Sequence, residues 1–401
     1  MIRSVDFKEK TQIIVKQNPS VSESCWMIAI DLGFGAVKGF SENKVFSFPN
    51  FARKVENFTN LIGTPADNDI YYRDAKGTVW AIGETAQALI TTGESSESSE
   101  VLYGRNRYPS AQFKALADAA LGIGMKENEF GNANGKTIIL QTGLPPRYIK
   151  EDSSSLRESL EGKHAFDLKI GQDKWKHYEF DLSGGNIKIM PQPLGSLYSS
   201  IIDKKGNWSA DASHILDLKV QVWDGGFKTF DKYSIRNHVP EGNGETIDDL
   251  GMKQVFQRTA DKILKTYNKD IQVYAMQTLL DDGEFKSYDP KTRSSTKISF
   301  VDILEESNKE VCMEMIDRLD IMDNHFLDID CIIVTGGTGA AWWDIISNEL
   351  SGMEGLKIIS ANKTDEDLPS IFSNVRGYYM FLFKNMEKTL KGKSVWEKAI
   401  Y

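Results

Sequence analysis

Cysteine is scarce in this chain. Only Cys25, Cys312 and Cys331 occur among 401 residues, and no two share a Cys-x-x-Cys spacing. That excludes a disulfide framework and offers no zinc site. Cys331 opens an apolar run and reads as a small core residue. Histidine is thin as well. His164, His177, His214, His238 and His325 show no pairing at helical spacing, so none is assigned to a metal. No apolar run approaches the ~20 residues of a membrane span. The first 24 residues mix Lys, Asp, Glu and Ser around one short run, Ile13-Ile14-Val15, which is unlike a signal peptide. No membrane partner is expected, and a cytoplasmic location is. Positive charge is in deficit too, with 48 Lys and Arg against 57 Asp and Glu and a net charge of −9. A dedicated nucleic-acid surface is therefore not expected, and any DNA involvement would run through another protein.

The remaining composition, 40% hydrophobic and 26% charged, is that of a globular protein long enough for two domains or one bilobed unit. Apolar runs predict strands at Met27–Ile30, Val37–Phe40, Lys44–Phe48 and Thr137–Gln141, the last stopped by Thr142-Gly143-Leu144-Pro145-Pro146. The first 25 residues are either disordered or add one strand at Thr11–Val15. Ile70–Gly83 reads as a hairpin around Asp-Ala-Lys-Gly, and Lys169–Asp181 as a second. Thr91–Glu100 reads as a solvated loop. Further strands are expected at Asn186–Met190, His214–Val222, Phe230–Ile235, Cys331–Val334 and Lys357–Ser360. Helices are expected at Glu84–Ile90, from Pro109 onward, and at Leu194–Ile202, Ile247–Tyr267, Val273–Leu280, Phe300–Leu319, Ala340–Leu350 and Ser370–Lys393. Most strands precede helices, so the class is α/β.

Three glycine-bearing segments carry the chemistry. Ile28–Lys38 holds Asp31, Gly33 and Gly35. Val222–Asp231 holds Asp224, Gly225, Gly226, Lys228 and Thr229. Ile332–Gly339 holds Gly336, Gly337 and Thr338. Each opens as a short apolar strand, and the first two put an Asp at the strand end. A triphosphate needs backbone N–H donors at close range, which glycine permits by having no Cβ. It also needs Mg²⁺, which prefers carboxylate oxygens and keeps several waters. Asp31 and Asp224 suit a hydrated ion held from opposite sides. The alternative is a set of plain hairpin turns with each Asp capping its own. Strand, Asp, glycine turn and strand recur at 28–48 and 220–236, which implies two duplicated lobes with a ligand between them.

These residues resemble the actin-like ATPase superfamily, and within it the chain is most similar to bacterial plasmid-segregation actins of the ParM type. Asp31–Lys38 resembles the first phosphate loop, Asp224–Asp231 the second, and Thr335–Gly339 the adenosine-contacting turn. Thr142–Pro145 resembles a strand-ending turn of these actins. Met190–Tyr198 resembles the interlobe helix start that bears the water-positioning residue, and Asn374–Tyr379 the helix that returns to the first lobe. The resemblance spans residues 26–395.

It implies a bilobed actin-like (ribonuclease H-like) fold around a nucleotide cleft. Residues 1–25 would be an extension. Residues 26–190 plus 374–401 would form lobe I, with an insertion at 50–105. Residues 191–373 would form lobe II, with a helical insertion at 240–325. The implied activity is slow hydrolysis of ATP or GTP with Mg²⁺, coupled to a head-to-tail filament that moves plasmid DNA through a DNA-binding adaptor.

Asp31 and Asp224 would orient Mg²⁺ through water, and Lys38 would reach the β- and γ-phosphates; the alternative for Lys38 is a solvent-facing strand position. Gln192 would place the attacking water, or else cap its own helix. Thr229 would bond phosphate or the ion's water, with Asp231 closing the turn or supporting that shell. Phe227 and Lys228 depart from the family's small residues. Lys228 is either a compensating cation or solvent-facing. Trp342 and Trp343 read as packing residues. A small-molecule kinase would need a substrate base that the sequence does not identify. A chaperone-like ATPase of the same superfamily is the other alternative.

Overall fold

The computed structural model describes residues 3–56, 58, 64–89 and 104–391. The loop expected at 91–100 and the last two residues of the expected terminal helix lie outside them. Cys25–Leu32 is apolar but for Asp31, and every residue of it is buried. It lies near the middle of a six-stranded sheet ordered Gln12–Val15, Lys44–Pro49, Ala36–Ser41, Cys25–Leu32, Thr137–Leu144 and Ile187–Pro191. The first four strands run antiparallel to their neighbours, and the last two join parallel. A strand buried on both faces needs no polar alternation.

A second sheet repeats this plan. Lys219–Gly225 pairs antiparallel with Thr229–Arg236 on one side and parallel with Cys331–Thr335 on the other, with Lys357–Ser360 beyond. The duplication inferred from 28–48 and 220–236 is therefore a duplication of strand order. The molecule is thus α/β with two large sheets of the same plan, one to each lobe. A smaller five-stranded sheet takes Ala52–Lys54, Ile70–Asp74 and Val79–Ile82 from one stretch of chain, and Gly162–Ile170 and Lys176–Leu182 from another. The hairpin expected at Ile70–Gly83 is in it. The one expected at Lys169–Asp181 is there too but starts earlier, with Gly162–Ile170 as its first strand.

Between the two large sheets lie the helices Gln192–Ile201 and Ser373–Lys391. One apolar cluster joins Met27 and Phe40 of the first sheet, Val222 and Ile333 of the second, and Leu197, Val375 and Tyr379 of these helices. The helices cross at Gly195 and Gly377. A Cβ on Gly377 would stand 1.6 Å from the Gly195 carbonyl oxygen, so the crossing needs glycine. Arg376, fully buried, donates to the carbonyls of Ser199 at 2.6 Å and Ile202 at 2.8 Å. These lie at the end of the first helix, where intrahelical partners run out.

Several expectations shift. Ile247–Tyr267 is not one helix. Glu245–Asp248 pairs with Thr229–Lys232 as a strand, Asp249 turns with φ +56°, and the helix runs Met252–Tyr267. His214 lies in a short helix, Ala212–Asp217, and the strand after it begins at Lys219. Thr142 and Gly143 do not stop their strand, because they still pair with Ile189 and Met190. The helix near Pro109 starts at Ala111, where Ser110 Oγ accepts the Phe113 N–H at 3.1 Å. The helix Glu84–Gln87 is shorter than expected. A hairpin of Glu284–Asp289 with Ser294–Ser299 was not legible, because most of its residues are polar and exposed and it has no apolar alternation.

Candidate functional site

The two Asp-bearing strand ends face one another across a cleft. Asp31 pairs in register with Lys38 on the neighbouring strand, and Asp224 with Asp231 on its own. Directly opposed residues of an antiparallel pair share a face, so Lys38 stands beside Asp31 and Asp231 beside Asp224. The cavity between them is lined by Asp31, Gly33, Gly35, Lys38, Gln192, Asp224, Gly225, Gly226, Thr229, Asp231, Gly336, Gly337 and Thr338. Three segments distant in sequence thus meet at one place.

Each Asp receives a side-chain amide from the central helix pair. Gln192 Nε2 donates to Asp31 Oδ1 at 3.0 Å. Asn374 Nδ2 donates to Asp224 Oδ2 at 2.6 Å. Gln192 opens its helix but reaches across to the first sheet rather than capping its own turn. Ser196 Oγ lies in hydrogen bonds 2.5 Å from Asn374 Oδ1 and 2.6 Å from Thr335 Oγ1, which fixes Asn374 in place.

Burial pushes the carboxyls of Asp31 and Asp231 upward, and that of Asp224 up to about 6. At Asp224 the Asn374 amide opposes the burial and the nearby Asp31 charge adds to it. Asp231 Oδ1 is buried with no hydrogen-bond partner. Several carboxyls around one ammonium, Lys38, form an environment that a divalent cation would relieve. Among the described residues no three Asp, Glu, His or Cys side chains stand close enough to grip an ion directly. That donor set fits an ion that keeps its own water between itself and the protein.

The glycines also serve the chain itself. Gly336 has φ +83°, and a Cβ there would stand 2.3 Å from the Gly225 carbonyl oxygen, so the second and third segments touch. Thr338 Oγ1 donates to the Gly226 carbonyl at 2.7 Å and ties the same two turns together. Thr229 Oγ1 lies 3.5 Å from Asp231 Oδ2. Phe227 is buried in the apolar cluster that holds Phe256, and its Cβ lies 2.8 Å from where a Gly35 Cβ would be. The bulky residue thus braces the second loop against the first. Lys228 is not among the residues lining the cavity; its Nζ lies 5.1 Å from the centre of the Phe34 ring. Trp342 is fully buried and donates from Nε1 to Asn308 Oδ1 at 2.9 Å, a packing role.

Three further residues belong to this region. Asn374 is the counterpart at Asp224 of Gln192 at Asp31, and no local pattern marks it. Arg107, buried, donates to the carbonyl oxygens of Leu32 and Gly33 and supports the first loop from behind. No local motif marks it. Glu9 lines the cavity although it lies in the segment expected to be an extension.

Residues 29–195 match the family described as actin-like proteins, N-terminal domain. No curated protein matches the chain in sequence. A 15-stranded ParM filament from Clostridium botulinum contains a chain 22% identical to this one. The two superpose with a TM-score of 0.67, covering 89% of this chain and 99% of that one. A non-polymerisable quadruple mutant of pCBH ParM is 21% identical, with a TM-score of 0.67 and coverage of 90% and 99%. An archaeal actin homologue is 16% identical, with a TM-score of 0.63 and coverage of 90% and 99%. At these identities the likeness to solved structures is one of fold. Among the described residues no helix is long and apolar enough to cross a membrane.

Proposed function

We propose that this chain, an actin-like protein by its fold and by the domain carried over residues 29–195, is a nucleotide-dependent filament former. It would bind ATP or GTP with Mg²⁺ between its two lobes and hydrolyse it slowly. The observation that carries this reading is the pair of bonds from Gln192 to Asp31 and from Asn374 to Asp224 across one glycine-lined cleft.

Asp31 and Asp224 would hold the hydrated ion from opposite sides. Bound there, Mg²⁺ would neutralise phosphate charge. Lys38 would take phosphate oxygens as a point charge. Backbone N–H groups of the segments at Gly33–Gly35 and Gly225–Gly226 would cradle phosphate, while Gly336, Gly337 and Thr338 would border the nucleoside. Thr229 would bond phosphate or the ion's water. Gln192, held by Asp31, would orient the attacking water. An amide is a weak base, and phosphoryl transfer asks mainly for positioning and charge stabilisation, so turnover would be slow.

Lobe I would comprise residues 26–190 and the returning helix, and lobe II residues 191–373. A closed, nucleotide-bound shape presents different surfaces at its two ends, and such contacts propagate without closing. The similar ParM chain built into a filament supports this reading. The cargo would be plasmid DNA in the cytoplasm, engaged through a DNA-binding adaptor. The test is sedimentation and electron microscopy of the purified chain with ATP or GTP, with and without Mg²⁺. Polymer that needs both nucleotide and Mg²⁺ supports the proposal. Binding of neither nucleotide, or no polymer with either, overturns it.

A further inference from the structure

The segment before the first sheet does not project from the molecule. Its 3-10 turn, Ser4–Phe7, packs against the helix Gly336–Glu349 that borders the cleft. Phe7 is buried in the apolar cluster that holds Leu280, Phe300 and Trp342. Ser4 Oγ donates to the Leu280 carbonyl at 2.7 Å, and the Glu9 N–H to Gln277 Oε1 at 3.2 Å. Past Glu9 the chain changes sides. The Thr11 N–H donates to Glu84 Oε2 at 2.6 Å, and Ser47 Oγ to the Lys10 carbonyl at 3.1 Å. Gln12–Val15 then pairs antiparallel with Lys44–Ser47 in the first sheet. Lys8 Nζ stands 2.5 Å from Asp281 and 3.6 Å from Glu84, bridging carboxylates of both sides.

The cleft is thus crossed by a strap anchored on each flank, and the residue at mid-span, Glu9, lines the same cavity as Asp31, Lys38 and Gly337. Glu9 Oε1 lies 3.9 Å from where a Gly337 Cβ would be, next to the first turn of the helix Gly336–Glu349. A ligand entering between the lobes meets this side chain, and the lobes cannot part widely while both anchors hold.

We propose that residues 3–16 form a strap that completes the nucleotide cleft through Glu9 and limits the rate at which nucleotide enters and leaves. This rests on the proposed nucleotide-binding role of the cleft. Release of the Ser4–Phe7 anchor would open the site, and its docking would hold ligand in. Strength of anchoring then acts mainly on residence time.

The test is the dissociation rate of a fluorescent ATP or GTP analogue with Mg²⁺, chased with excess unlabelled nucleotide, in three proteins. Deletion of residues 2–10 is expected to speed release by about tenfold or more. The second variant is Ser4→Cys with Gly283→Cys. A Cβ on Gly283 would lie 3.3 Å from Ser4 Cβ, near the ~3.5–4.5 Å of a disulfide. It would also lie 2.7 Å from Val301 Cγ2, at a backbone φ of +65°, so Val301→Ala accompanies the pair and native folding is checked by circular dichroism in both redox forms. The three native cysteines are buried. Oxidised, this variant is expected to release nucleotide at least ~10-fold more slowly than when reduced, with bond formation followed by thiol loss. The pair remains decisive if the deletion fails to fold. Equal rates in the oxidised and reduced forms overturn the strap while leaving nucleotide binding intact. No nucleotide binding by the unaltered chain overturns both readings.

Discussion

Gln192 and Asn374 do the same job on opposite sides of the cleft. Each brings an amide N–H to a buried carboxylate, at 3.0 Å on Asp31 and 2.6 Å on Asp224. Gln192→Ala removes the group proposed to orient water and leaves Lys38 and the glycine turns in place. It is expected to lower the hydrolysis rate by about 10²-fold with little change in nucleotide affinity, measured by phosphate release and by titration.

Asn374→Ala leaves Asp224 without its donor. A hydrogen bond to a charged group contributes about 1.5–3 kcal/mol. Because the amide favours the ionised carboxylate, the loss should be larger at pH 8 than at pH 5 in urea unfolding with chelator present. The unaltered chain has its own pH signature. Asp224 keeps its proton up to about 6 in the fold, against 3.8 ordinarily. Between these values the folded state binds more protons than the unfolded one, so stability falls as pH rises from about 4 to about 6. Excess Mg²⁺ should flatten that fall, because it favours the ionised carboxylates. Thermal unfolding across this window, with Mg²⁺ and with chelator, checks both signs.

At the scale of elements, the two amides of the site are delivered by the crossing of Gln192–Ile201 and Ser373–Lys391. Gln192 is the first residue of one helix and Asn374 the second of the other. Their separation is set by the contact of Gly195 with Gly377. Gly377→Ala cannot fit a Cβ at 1.6 Å from a carbonyl oxygen without moving a helix. The expected cost reaches or passes the upper end of the ~1–3 kcal/mol typical of overpacking. A shift of that crossing also draws the two amides off their carboxylates, so nucleotide affinity should fall along with the unfolding midpoint. A loss of stability with unchanged affinity would show that the crossing does not hold the site. The strand pairings are the firmer part of this scale. Asp31 and Asp224 each end a buried strand whose neighbours repeat in the same order, so each reaches the cleft in an equivalent way.

At the scale of the whole molecule, charge argues against direct contact with the proposed cargo. With a net charge of −9, the chain lacks the surplus of Lys and Arg that displaces counterions from a duplex. Alone at about 0.15 M salt it is expected not to retard duplex DNA in a gel. Retardation at that salt would remove the need for an adaptor.

Much of this organisation was legible from residues alone. Buried strands announce themselves as apolar runs, and the local order strand, Asp, glycine turn marks a strand end that must bend sharply beside a ligand or another backbone. Asp31, Lys38, Asp224 and the Gly336–Gly337 pair are legible for that reason, as is the duplication, because it repeats in order along the chain. The exposed hairpin at 284–299, the partner amide Asn374, the supporting Arg107 and the strap residue Glu9 carry no local pattern. Their significance comes from neighbours far away in sequence: Glu9 lines a cavity with Gly337, and Asn374 bonds a carboxylate 150 positions earlier. Periodicity and turn chemistry act over a few residues and are written in the sequence directly. Which distant groups then share a cavity is decided only when the apolar faces of both sheets close on the same pair of helices.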